Sequence, residues 1–96
     1  MLSCPEDPMA AIEDLVHSFP SLRAVGVQPW DANRLAEWAS GPVSNGERVT
    51  AQFLLAVWCS EEAWPCGRFD LMEALGVWDR AHREAFLAWA RDPWWP

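Results

Sequence analysis

Ser44-Asn45-Gly46-Glu47-Arg48-Val49-Thr50-Ala51-Gln52-Phe53-Leu54-Leu55-Ala56-Val57-Trp58 decides how this chain folds. Ser44 and Glu47 stand at capping-box spacing, in which the serine oxygen accepts from the third backbone amide and the glutamate reaches back to the cap amide. Val49, Phe53, Leu54, Val57 and Trp58 follow at helical spacing, and Ala51, Leu55 and Ala56 widen the apolar surface until it nearly encircles the segment. A helix apolar on all sides belongs inside, so a central helix over about residues 45–59 is expected. A buried strand within Phe53 to Cys59 is the alternative, because an unbroken apolar run of this length does not declare its period.

Helices are expected on both sides of that segment. Asp7-Pro8 is a helix-start pair, and Met9, Ile12, Leu15, Val16 and Phe19 recur on one face, giving a helix from about Pro8 to Ser18 that Pro20 stops. Ser21 to Pro29, broken by Gly26, reads as an extended connector. Asp31 caps a short helix of about Ala32 to Ser40, with Trp30 and Leu35 at hydrophobic-staple spacing, and Gly41-Pro42 ends it through a left-handed C-cap. Ser60 to Arg68 is a shaped loop.

Asp70 and Glu73 repeat the capping-box pattern before a short helix carrying Leu71, Met72 and Leu75, which Gly76 stops. Asp79 caps the last helix, about Arg80 to Arg91, whose face is Ala81 or His82, Ala85, Phe86 and Trp89, with Pro93 beyond its end. The expected fold is therefore all-α: one domain over 1–96, about five short helices, an N-terminal arm 1–7 and an aromatic tail 92–96.

Eight tryptophans in 96 residues, with no tyrosine and no lysine, give this small chain dense material for a core or a recognition surface, at about 150–250 Å² buried per ring. Trp38, Trp58 and Trp89 lie on apolar helix faces and are assigned to the core. Trp30 and Trp78 precede helix caps and set the direction in which the chain joins each helix. The loop residues Trp64 and Arg68 and the tail pair Trp94 and Trp95 are left as the candidate partner-binding set, because tryptophan and arginine dominate binding hot spots.

Fourteen acidic residues against seven dispersed arginines give a net charge of −7. That balance argues against direct nucleic-acid binding, which needs a basic stripe. It also argues against an aromatic tail lying on anionic lipid, and no apolar run reaches the length of a membrane span. The composition has the look of GC-rich bacterial coding. An odd number of cysteines and the lack of a signal-peptide pattern at the first residues point to the cytoplasm.

No assembled chemistry is visible in the residue spacing. Cys59 and Cys66, with Cys4, His17 or His82, lack the close pairing of a structural zinc site, and neither histidine stands in an evident relation to a nucleophile. Glu13-Asp14 and Glu61-Glu62 read as solvated acidic surface. No catalytic residue, metal or cofactor is therefore expected. The expected function is a non-enzymatic protein–protein interaction module, a small regulator or adaptor with another protein as partner and scope for self-association. The alternatives are a metal- or thiol-dependent module using Cys59 and Cys66, an enzyme with an aromatic-lined pocket that exposes His82 or Cys66, and an acidic mimic directed at a nucleic-acid-binding protein.

Overall fold

The computed structural model describes residues 7–23, 25 and 29–96. Cys4, most of the N-terminal arm and the Gly26 break in the connector lie outside the described residues. Five α-helices are present: α1 (Pro8–Ser18), α2 (Ala32–Ala39), α3 (Asn45–Trp58), α4 (Leu71–Val77) and α5 (Arg80–Arg91). No strand occurs among the described residues, so the strand alternative for Phe53 to Cys59 is overturned. The reason lies at the front of the segment. Both halves of the capping box form, with Ser44 Oγ accepting from the Glu47 amide at 3.1 Å and the Ser44 amide donating to Glu47 Oε1 at 2.9 Å.

α3 is the axis of the molecule. Every residue from Val49 to Leu55 is buried, as is Val57. Burying a valine, leucine or phenylalanine side chain stabilises the fold by about 1.5–3 kcal/mol, so this helix contributes more than any other. α1 sets Ile12, Leu15 and Val16 into the same core, α2 adds Leu35, Ala36 and Ala39, and the inter-helix positions Phe19, Leu22, Trp30 and Trp78 complete it.

The aromatic residues are organised around Phe53. Its ring centroid lies 5.2–5.6 Å from those of Phe19, Phe69, Phe86 and Trp89, and 6.1 Å from that of Trp78. Tilted and edge-on ring pairs such as these each add about 0.5–1.5 kcal/mol beyond the area they bury. Trp30 and Trp58 form a separate pair at 5.3 Å. The ranking of tryptophans expected from helix faces is thus reversed. Trp30 and Trp78, in the joints before helix caps, are the buried indoles, whereas Trp38, Trp58 and Trp89 are half-buried. A joint residue can turn its whole ring inward, while a ring on a short surface helix leaves an edge in water.

Four local expectations are corrected. The connector opens with a 3₁₀ turn, Pro20–Leu22, rather than extended chain, because Pro20 favours a turn start and Leu22 is drawn into the core. Gly41 does not adopt a left-handed cap, since Gly67 is the one described residue with positive φ. α2 closes instead with Ser40 in right-handed helical geometry and the Gly41 amide on the Trp38 carbonyl at 3.1 Å. Gly76 does not stop α4, which runs on to Val77. Glu13 is not simply solvated: its Oε2 accepts from the Trp30 backbone amide at 2.8 Å, tying α1 to the start of α2.

Candidate functional site

Three surface features carry chemistry. The first grows from the loop after α3. Trp64-Pro65-Cys66-Gly67 forms a turn closed by the Gly67 amide on the Trp64 carbonyl at 3.0 Å, with proline and glycine at the positions such turns favour. Buried Gln52 on α3 anchors this turn through Nε2 to the Cys66 carbonyl at 2.7 Å, and the Trp64 indole donates to the Cys59 carbonyl at 3.2 Å. A cavity of about 150 Å³ opens between Gln52, Trp64, Arg68 and Phe69, and a second of about 430 Å³ lies against Glu61, Glu62, Trp64 and Arg68. The structure therefore brings Trp64, half-buried, and Arg68, exposed, to one divided cleft.

The other two partner-binding candidates lie elsewhere. The Trp94 carbonyl accepts from the Trp89 indole at 3.3 Å, and the Trp95 ring sits edge-on to Trp89 with centroids 5.5 Å apart. Trp94 lines a groove of about 360 Å³ between α1 and α5, beside Ala11, Leu15 and Ala85. That groove shares no residue with the Trp64–Arg68 cleft.

The second feature is α4. Its apolar residues are largely outward: Met72 is 77% exposed, Leu71, Leu75 and Val77 are each about 40% exposed, and Ala74 is the one buried residue of the helix. The sequence held a sign of this. Five of the seven residues of α4 are apolar and are distributed around its circumference, so no single apolar face was available to bury.

The third feature joins His82 and its cap Asp79 to Ser21, a residue that sequence reasoning did not single out. His82, in the first turn of α5, has Nδ1 at 2.7 Å from Asp79 Oδ1 and Nε2 at 2.9 Å from Ser21 Oγ. The Ser21 backbone amide also donates to Nε2, at 3.3 Å. A carboxylate can only accept, so it assigns the proton to Nδ1 of the neutral ring and leaves Nε2 as the acceptor facing Ser21. Hydrogen bonds from the His82 amide and then from its ring hold the Asp79 carboxyl below the usual carboxylate range. All three residues line one cavity of about 180 Å³, whose other walls include Ser44, Gly46 and Trp78. The proximity of Asp79 to His82 follows from their spacing of three on a helix start; that of Ser21 to His82, 61 residues apart, does not.

Cys59 is exposed and Cys66 buried, both as free thiols. Burial pushes the Cys66 thiol up from its ordinary value, against a backbone hydrogen bond and the Arg48 charge, which lower it. Among the described residues no three histidine, cysteine, aspartate or glutamate side chains converge as metal ligands, and no helix is long and apolar enough to cross a membrane. Comparison with protein-family models, curated proteins and solved structures finds no match.

Proposed function

We propose that this chain is a protein–protein interaction module, a small regulator or adaptor, and that its contact surface is the apolar exterior of α4 together with the neighbouring Trp64–Arg68 cleft. The observation that carries the reading is the exposure of Leu71, Met72, Leu75 and Val77 on one short helix. Scattered single apolar residues are normal on a surface, but Leu71, Met72 and Leu75 lie within about 100° of one another around the helix, a grouping that favours a contact site. Arg68 and Phe69 run directly into the Asp70 cap of α4, so cleft and helix are neighbours along the chain.

Charge defines the partner. Residues 70–79 carry Asp70, Glu73 and Asp79 and no basic residue. A protein offering an apolar groove rimmed by lysine or arginine complements this surface. A second copy would bring like carboxylates together on chains that each carry −7, which disfavours an α4-to-α4 dimer. In this reading the Trp94–Trp95 tail serves the core through Trp89.

The test is site-specific photo-cross-linking in the cells that make the protein, with the cross-linker at Met72 and a control at exposed Glu84 on α5. A discrete adduct with a basic protein at Met72, absent at Glu84, is the expected result. No adduct at Met72, the same adducts at both positions, or an adduct of twice the chain mass would each reject the proposal.

A further inference from the structure

Beyond the contact reading, we infer that Ser21, His82 and Asp79 form a nucleophile–base–carboxylate relay able to cleave small acyl esters. The order of groups is the one acyl transfer needs. The carboxylate orients the imidazole through Nδ1, and Nε2 faces a hydroxyl within the roughly 2.6–3.2 Å reach of a general base. Such a relay is defined by geometry and roles rather than by the order of residues in the chain. The Ser21 amide approaches the same nitrogen at 3.3 Å, but the hydroxyl, at 2.9 Å, is the nearer donor to its one lone pair.

The relay is placed where a substrate has room. Ser21, Asp79 and His82 border a single cavity, and its volume of about 180 Å³ suits short acyl groups. Trp78 supplies an apolar wall. Gly46, the second residue of α3, also borders the cavity, and its amide lies in the first turn, where backbone amides have no partner within the helix and suit a developing oxyanion. Glu47, next to it, is engaged by the Ser44 amide at 2.9 Å.

In the reaction Ser21 Oγ attacks the ester carbonyl carbon while its proton passes to His82 Nε2, and the carbonyl electron pair moves onto oxygen. When that pair returns, the bond to the alcohol oxygen breaks and the alcohol leaves with the proton from Nε2, so Ser21 carries the acyl group. Water repeats the sequence. It gives one proton to Nε2 as its oxygen bonds to the carbonyl carbon, and Ser21 leaves with that proton, releasing the carboxylic acid.

The experiment treats the full chain with p-nitrophenyl acetate and, separately, with a fluorophosphonate, reading nitrophenol release and the labelled residue by peptide mass spectrometry. Label on Ser21 is expected, with loss of label and of release in Ser21→Ala and His82→Gln. Asp79→Asn should slow both by up to roughly 10⁴-fold, the loss that follows when an orienting carboxylate becomes an amide. Ser40→Ala, in the α2 cap, should behave as the parent. An unlabelled Ser21 in the folded parent protein overturns the inference, as does labelling that His82→Gln leaves unchanged. In the first case the three residues are a structural clasp between α5 and the Pro20–Leu22 turn, and the parent measurement stands even where a variant fails to fold.

Discussion

The indole Nε1 of Trp78 donates to the hydroxyl of Thr50 at 2.8 Å inside the core, and Thr50 Oγ1 donates in turn to the Gly46 carbonyl at 2.6 Å. This short relay joins the α4–α5 joint to the first turns of α3. It also explains why a threonine can be fully buried in an otherwise apolar helix: its hydroxyl is occupied in both directions.

Replacing Thr50 by valine keeps the shape and removes the acceptor, leaving the Trp78 donor buried and unpaired. A loss of about 1–3 kcal/mol follows, read from the urea midpoint. Adding Trp78→Phe to Thr50→Val should cost less than the sum of the two single changes, since the unpaired group is then gone.

Gly67 and Gly76 predict opposite signs for the same substitution. Gly67 holds φ at +98°, and a Cβ there would lie 3.2 Å from Gln52 Nε2. Gly67→Ala therefore costs at least about 1–2 kcal/mol, the scale of left-handed strain. Gly76 lies inside α4 with nothing within 4 Å of an added Cβ, so Gly76→Ala gains about 0.5–1 kcal/mol. Thermal melts of the two variants should move in opposite directions.

Asp79 links stability to acid. Its carboxyl is held low in the folded chain by the His82 amide and ring, so its contribution is present above the ordinary carboxylate pKa and is lost as pH falls through the depressed folded value. Urea midpoints measured between pH 7 and pH 2 should fall less steeply for Asp79→Asn than for the parent; parallel curves would refute the linkage.

The two described thiols should react at very different rates. Cys59 is exposed, whereas Cys66 is 8% exposed and burial raises its pKa, which lowers its thiolate fraction. Brief iodoacetamide treatment at pH 8 should modify Cys59 and spare Cys66, and urea should abolish the difference. Because the Cys66 pKa is raised on folding, its contribution to stability is full below the ordinary thiol value and declines as pH rises through the folded value.

Helix positions were legible because their signals are short-range. Asp7, Asp31, Ser44, Asp70 and Asp79 each accept a backbone amide within three residues, and those five caps begin the five helices. The continuous apolar run of α3 marked the interior in the same way. The exposure of α4 was legible only in part, since apolar residues spread around its circumference leave no single face to bury but do not say which of them stay wet. Trp64 and Arg68 stand out in the sequence as loop residues, and the structure draws them to one cleft; Trp94 and Trp95 stand out equally as tail residues, yet they lie against Trp89.

Local order in this protein is thus written in neighbouring residues, where a cap or a proline acts on atoms a turn away and needs no knowledge of the rest of the chain. Which indoles fill the core, which apolar residues stay wet and which hydroxyl meets His82 depend on packing α1, α4 and α5 around α3. Those outcomes are settled by competition for one limited interior volume. Trp78 and Phe53 occupy that space and Met72 does not, and Ser21 reaches His82 because burial of Phe19 and Leu22 carries the intervening turn to the start of α5.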